Sequence, residues 1–135
     1  MSAFTWNEKY RLHVKDMDDQ HRVLIGLVGQ LDDAMREGKG KQTLGLILER
    51  LVDYTKVHFA AEERLMKAAG YPEYQEHKII HAKMTSKVMD LERQFKDGRA
   101  MLTLDVMKFL TDWLQKHILG TDKKYSPFLS SPSMN

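Results

Sequence analysis

The chain has 135 residues, which suits one domain, and its 42% apolar and 30% charged residues are typical of a globular protein. It contains no cysteine, which excludes disulfides, thiolate zinc sites, iron–sulfur clusters and cysteine nucleophiles. The net charge is +2, and the 21 basic and 19 acidic residues interleave along the chain, so no basic stripe indicates nucleic acid as a partner.

Glycine and proline divide the chain into four stretches with the apolar spacing of amphipathic helices. They run approximately from Asp18 to Glu37, from Gln42 to Ala69, from Pro72 to Lys96 and from Thr103 to Gly120. Asp16 or Asp18 is the expected N-cap of the first helix, Pro72 suits the first turn of the third, and Gly120 marks the expected end of the fourth.

Short connections between the four helices predict antiparallel neighbours. We therefore predict an all-α protein, an up-down-up-down antiparallel four-helix bundle with an N-terminal arm. Within a single domain, residues 1–17 form the arm, residues 18–125 the bundle and its metal site, and residues 126–135 a tail. The N-terminal segment carries charges where a signal peptide needs an apolar run, and no run approaches the roughly 18 residues of a membrane span, so we expect a cytoplasmic location.

Six ionisable side chains interrupt the apolar seams of these helices, at positions that share one end of such a bundle. They are His21, His58, Glu62, His77, His81 and His117. Two of the pairs are spaced i, i+4, which places both members on one helix face. Asp122 is a seventh candidate. It follows His117 by five residues, which is not a same-face spacing in a straight helix, so we expect the chain to turn at Gly120 and bring Asp122 inward.

A single buried histidine is usually a hydrogen-bonded core residue, and His13 is interpreted in that way. A whole layer of buried imidazoles and carboxylates is different, because unpaired burial costs several kcal/mol for each group. The natural compensation is metal. Five imidazoles and two carboxylates are too many donors for one ion, whereas two ions bridged by Glu62, Asp122 and a solvent-derived oxo or hydroxo group leave one octahedral position open. These donors fit iron, manganese, zinc or copper, and an open near-octahedral position favours iron or manganese.

Several short motifs occur in a fixed order along nearly the whole chain. The residues that carry them are Trp6, Met17-Asp18-Asp19-Gln20-His21, His58-Phe59-Ala60-Ala61-Glu62-Glu63, Met66, Tyr71-Pro72, His77, His81, His117-Ile118, Asp122 and Tyr125. They resemble the W…IDxQH, HFxxEE, YP…HxxxH and HIxxxDxxY motifs of the hemerythrin family, in particular its single-domain bacterial members. His13 departs from the resemblance, since many bacterial members carry glycine there.

The resemblance implies a non-heme di-iron centre with an oxo or hydroxo bridge that binds dioxygen reversibly, for carriage, storage or delivery to an oxygen-using enzyme. The implied metal ligands are His77, His81 and His117 on one iron, His21 and His58 on the other, and Glu62 and Asp122 as bridges. An apolar pocket should cover the open iron. The residues expected to line it, from their helix positions and the resemblance, are Leu24, Ile25, Trp113, Leu114 and Leu119.

The alternatives are a di-iron redox enzyme, a sensor of dioxygen, nitric oxide or peroxide, and an iron store. No spare acid or base in the seams is available for proton delivery, so we expect no enzymatic activity. Sensors of this kind usually carry an attached output domain, and the Glu-x-x-His pattern of ferritin-like proteins does not recur on two helices. No clear exposed apolar face is visible, so we expect a monomer.

Overall fold

The predicted fold is confirmed in a computed structural model, which describes residues 5–98 and 104–129. The part so described contains helices and turns and no strand. Its four long helices are α1 (Lys15–Arg36), α2 (Lys41–Ala69), α3 (Tyr74–Lys96) and α4 (Leu104–Lys116). Helix α1 packs on α2 and α4, and α2 packs on α3, as in an up-down-up-down bundle. None of the described helices combines the length and apolar character needed to cross a bilayer.

The helix ends differ from the predicted ones at two places. Helix α1 begins at Lys15, and its N-cap Val14 has no capping side chain, so neither Asp16 nor Asp18 is the N-cap. Asp18 lies within the first turn, where its carboxylate instead accepts the backbone N–H of Leu12 at 2.7 Å. Helix α3 begins at Tyr74, so Pro72 precedes it in a turn and does not belong to its first turn.

The N-terminal arm is attached to the end of the bundle that holds the histidines. Tyr10 and Leu12 of the arm are fully buried. The Gln115 amide donates to the Tyr10 hydroxyl at 3.0 Å, and Ser126 donates to the carbonyl of Leu12 at 2.5 Å. Ser126 opens a short helix, α5 (Ser126–Leu129), and the remainder of the predicted tail, residues 130–135, lies outside the described residues.

His13 is exposed and has a positive φ of 62°, so its interpretation as a core histidine is wrong. The arm must reverse direction between the buried Leu12 and the start of α1, and this reversal places residue 13 in the left-handed region. That region suits glycine, because every side chain with a Cβ is strained there.

We expect the substitution His13→Gly to raise the free energy of unfolding by about 1 kcal/mol, because it relieves the strain of a positive φ at an exposed position. His13→Ala is the matched control, since it removes the imidazole and keeps the Cβ. Urea unfolding of both variants measures the difference. If the alanine variant is as stable as the glycine variant, backbone strain does not explain this position.

Candidate metal centre

Seven ionisable side chains converge at one end of the bundle, and all of them are almost completely buried. They are His21, His58, Glu62, His77, His81, His117 and Asp122, each with at most 3% of its surface exposed. Helices α1, α2 and α3 contribute the first five, and the segment after α4 contributes His117 and Asp122. The structure thus brings together every residue that the sequence suggested as a metal ligand.

The seven side chains form two overlapping groups. The three-imidazole group consists of His77, His81 and His117, and the two-imidazole group consists of His21 and His58. In each group the donor atoms lie within 4.8 Å of one another and of oxygen atoms of both Glu62 and Asp122. The two carboxylates are therefore common to both groups, as bridging ligands of two ions would be.

Each shared carboxylate directs one oxygen to each group. For Asp122, Oδ2 lies 3.0 Å from Nε2 of His21, whereas Oδ1 lies 2.9 Å from Nε2 of His77 and 3.0 Å from Nε2 of His117. Two separate positive centres, one in each group, would account for this division.

Glu62 divides its oxygens in the same way. Its Oε2 lies 3.3 Å from Nε2 of His21 and 3.4 Å from Nε2 of His58. Its Oε1 lies 3.4 Å from Nε2 of His77 and 2.9 Å from Nε2 of His81. All five imidazoles thus present the same ring nitrogen, Nε2, to the carboxylates.

Asp122 reaches the centre through a π-helical turn. The prediction from the sequence, that the helix ends and the chain turns at Gly120, is therefore wrong. The turn spans His117–Thr121, and the backbone N–H of Asp122 donates to the carbonyl of His117. Hydrogen bonds from i+5 to i place residues five apart on the same side of the helix. The spacing of His117 and Asp122, which is wrong for an α-helix, is therefore right for this turn.

Three further residues make hydrogen bonds to these side chains. The Tyr125 hydroxyl donates to Oε2 of Glu62 at 2.5 Å. Nδ1 of His58 lies 2.7 Å from Oε1 of Gln20, and Nδ1 of His81 lies 2.9 Å from Oε2 of Glu63.

Neither Gln20 nor Glu63 was predicted from the sequence to belong to the site. Each is the sequence neighbour of a candidate ligand, Gln20 beside His21 and Glu63 beside Glu62. The signal available in the sequence was that both residues are polar and lie within the motifs, next to candidate ligands.

These hydrogen bonds determine which nitrogen of two rings is free. An amide oxygen and a carboxylate oxygen can only accept, so Nδ1 of His58 and Nδ1 of His81 carry their protons. In the neutral form of each ring, Nε2 then presents a lone pair to the centre, which is the state in which imidazole binds a metal ion.

Several buried polar atoms of the centre make no hydrogen bond within the described residues. They are both ring nitrogens of His21, Nε2 of His58, Oε1 of Glu62, Nε2 of His77, Nδ1 of His117 and both oxygens of Asp122. Buried groups without partners are rare because each costs free energy. Two metal ions, one in each group, would satisfy the Nε2 and carboxylate atoms together, so the donor set fits two ions.

The charges of the centre strongly affect its titration when no metal is bound. Burial favours the neutral form of each ring, but Asp122 and Glu62 outweigh it and raise the pKa of His21 to about 9 and that of His117 to about 10. Burial dominates at His58 and lowers its pKa. Burial also disfavours ionisation of Glu62 and Asp122, yet the imidazoles hold the pKa of both carboxyls below their ordinary values.

Two aromatic rings separate the centre from the bundle interior. Phe59 stacks on His81 with ring centroids 3.8 Å apart, and Trp113 stacks on His117 at 4.8 Å. The two aromatic rings also contact each other, edge to face, at 5.9 Å. They hold the imidazoles in fixed orientations and cover them with apolar surface.

A small apolar cavity of about 20 Å³ lies next to these rings. Its walls come from all four long helices and are Leu24, Val28, Leu51, Thr55, Phe59, Met84, Val88, Leu110, Trp113 and Leu114. Several wall residues lie one helical turn from a candidate ligand on their own helix, such as Leu24 after His21 and Leu114 before His117. Since a cavity of roughly 10–15 Å³ suffices for one water molecule, this one has room for a molecule of about that size.

The five residues predicted to line a gas pocket are divided by the structure. Leu24, Trp113 and Leu114 line the cavity. Ile25 is buried in the core outside its walls, since it lies one position round α1 from Leu24. Leu119 is half-buried on the π turn and does not line the cavity. The role of all five toward a ligand stays a prediction.

Comparisons with known proteins agree with this arrangement. Residues 12–129 match the family described as the Hemerythrin HHE cation binding domain. Bacteriohemerythrin of Methylococcus capsulatus is 35% identical over 132 residues, covering 97% of this chain and 100% of that protein. Myohemerythrin-1 of Phascolopsis gouldii is 32% identical over 123 residues, covering 90% of this chain and 91% of that protein. A crystal structure of wild-type hemerythrin superposes with a TM-score of 0.91 at 34% identity, covering 96% of this chain and all of that one.

We expect the metal-free protein to lose stability as the pH rises from about 6.5 towards 10. His21 and His117 have raised pKa values in the folded state, so their stabilising contribution is complete below the ordinary histidine pKa and disappears as pH passes through about 9 and 10. The carboxyls act in the opposite direction, and their contribution is lost only as pH falls below their ordinary range. Urea unfolding across pH 5 to 10 measures the profile.

The zinc-loaded protein is the control for this prediction. A metal-bound imidazole has no titrating proton at Nε2, so the loaded protein should keep its stability across the same interval. A metal-free profile that is flat between pH 6.5 and 10 would contradict the ion pairing described for His21 and His117.

Proposed function

The chain belongs to the hemerythrin family, and from that premise we propose that it binds dioxygen reversibly at a non-heme centre of two iron ions. The observation that carries the proposal is the division of the Glu62 and Asp122 oxygens between the three-imidazole and two-imidazole groups, next to an apolar cavity. A centre for one ion would not need carboxylates shared in this way.

The donor count assigns a different environment to each ion. His77, His81 and His117 with one oxygen from each carboxylate would hold one iron through five donors. His21 and His58 with the other two oxygens would hold the second iron through four. A solvent-derived bridge would add one donor to each, which would leave the ion of the two-imidazole group one short of octahedral coordination. Two ferrous ions held in this way supply the electrons that reversible binding of dioxygen requires.

The protein's own contribution is a dry, apolar surrounding for the bound gas. Of the side chains that wall the cavity, only Trp113, through its indole N–H, and Thr55 carry a polar group. The Thr55 hydroxyl donates to the carbonyl of Leu51 at 2.7 Å, so its proton is already engaged. No acidic or basic side chain lines the cavity wall, so a bound ligand is protected from protonation, which favours release over reduction.

We therefore propose a carrier and not an enzyme, in line with the family, whose members bind oxygen and are generally not enzymes. Storage, or delivery to an oxygen-consuming enzyme, is the physiological use that we propose.

We also propose that the protein acts as a monomer, since the large apolar side chains exposed on the described helices are scattered. Sedimentation at the mass of one chain supports this, and a dimer mass contradicts it. A cytoplasmic location stays a prediction.

The direct test of the function is an optical spectrum of the iron-loaded protein through repeated cycles of air and oxygen removal. We expect two irons per chain and a charge-transfer band that appears with oxygen and disappears without it. Zinc-loaded protein is the control, because zinc has no redox chemistry and should give no band. A band that forms once and decays to a ferric form, unaltered by oxygen removal, would contradict reversible binding.

We expect the substitution Leu114→Ala to accelerate the irreversible oxidation of the iron-loaded protein several-fold. The lost side-chain volume enlarges a cavity that lies next to the aromatic rings covering the centre and is lined by the partly buried Trp113, so water gains room and a hydrogen-bond partner in the indole N–H. The rate is measured from the decay of the oxygenated spectrum.

Leu48→Ala is the matched control for the loss of packing. Leu48 is fully buried on α2 but does not line the cavity. Both variants should lose about 2–5 kcal/mol of unfolding free energy, as buried leucines do. If the two variants oxidise at the same rate, Leu114 does not protect the site and general destabilisation explains the effect.

A further inference from the structure

The two groups of imidazoles differ in the residue that accepts a hydrogen bond from Nδ1. In the three-imidazole group, Nδ1 of His81 donates to a carboxylate oxygen of Glu63 at 2.9 Å. In the two-imidazole group, Nδ1 of His58 donates to the neutral amide oxygen of Gln20 at 2.7 Å. The geometry of the two hydrogen bonds is similar, and only the charge of the acceptor differs.

The charge of that acceptor affects the whole ring. A carboxylate that accepts from Nδ1 draws the proton partly away, which makes Nε2 a stronger donor to a metal ion. An amide oxygen fixes the orientation of the ring equally well but contributes no negative charge. When both rings are neutral, His81 is thus the stronger donor to a metal ion and His58 the weaker one.

A third contact adds to the same asymmetry. The hydroxyl of Tyr125 donates to Oε2 of Glu62, which is the oxygen that faces His21 and His58. A hydrogen bond to a carboxylate oxygen reduces the electron density available to a second partner of that oxygen. Tyr125 is itself fully buried, so this contact is shielded from water.

Resting on the function proposed above, we propose that Gln20 and Glu63 are positioning residues that make the two-imidazole group the weaker of the two metal positions. The ion with the open coordination position then has fewer nitrogen donors, a neutral acceptor behind one of them, and a carboxylate oxygen shared with a phenol. Weaker donors favour the lower oxidation state, so this arrangement keeps that ion reduced when no gas is bound.

The test exchanges the two acceptors one at a time, through Gln20→Glu and Glu63→Gln. Zinc alone is the first probe, and competition with a chromophoric chelator resolves the tighter and the weaker dissociation constant. We expect Gln20→Glu to lower the higher dissociation constant roughly tenfold and Glu63→Gln to raise the lower dissociation constant by about the same factor. Such outer partners typically change metal affinity 10- to 100-fold.

The second probe is the reduction potential of the iron-loaded protein, which should fall in Gln20→Glu and rise in Glu63→Gln. Opposite shifts separate a charge effect from loss of structure, because damage to the site moves both variants in the same direction. The matched controls are Gln30→Glu on α1 and Glu49→Gln on α2, which make the same charge changes at exposed positions. If Gln20→Glu fails to fold, Glu63→Gln still tests the proposal independently.

Variants that behave as their matched controls, or that shift together, overturn the proposal. This outcome is distinguishable from failure of the proposed function, because the zinc measurements do not depend on oxygen. A wild-type protein that does not bind dioxygen reversibly but shows the expected changes in zinc affinity would refute the carrier function and leave the assignment of Gln20 and Glu63 intact.

Discussion

The architecture depends on two carboxylates buried at one point. Glu62 and Asp122 have no exposed surface, and both oxygens of each face imidazole nitrogens. An isolated buried carboxylate is very unfavourable unless positive charge and hydrogen bonds compensate it. Five imidazoles cannot provide this at neutral pH while remaining neutral ligands, so metal ions are the compensation that satisfies the Nε2 and carboxylate atoms together.

This constraint explains features of the fold that would otherwise be costly. The π turn at His117–Thr121 interrupts regular α-helical hydrogen bonding, but it places Asp122 on the same side as His117. The arm closes the same end of the bundle, where Asp18 and Ser126 fix the backbone of Leu12. Apolar walls begin one turn further into the bundle, so the polar centre and the cavity are adjacent layers with separate roles.

The fold and six of the seven converging side chains, all but Asp122, were predictable because they follow from periodicity. Apolar seams at helical spacing predict the bundle, and the polar residues at seam positions predict which end of it holds the site. The route of Asp122 was predicted wrongly, since a π turn has no propensity signal and is visible only as a five-residue spacing. The cap was wrong as well, because Asp18 serves a contact with Leu12 that sequence spacing does not reveal.

Other features depend on three-dimensional contacts that no linear pattern contains. His13 was expected to be a hydrogen-bonded core residue because that is the usual role of a lone histidine, whereas it is exposed at a bend with a φ of 62°. The partners of His58 and His81 come from residues 38 and 18 positions away. Leu24 and Ile25 are neighbours on α1, and helical periodicity does not resolve which of the two faces the cavity.

The central claim is that Glu62 and Asp122 each bridge two metal ions. A crystal structure of the iron-loaded protein, with an anomalous difference map at the iron absorption edge, tests this most directly. The account predicts two iron peaks, one bound by His77, His81 and His117 and the other by His21 and His58, with one oxygen of each carboxylate on each ion. A single peak, or a carboxylate whose oxygens both bind the same ion, would contradict it.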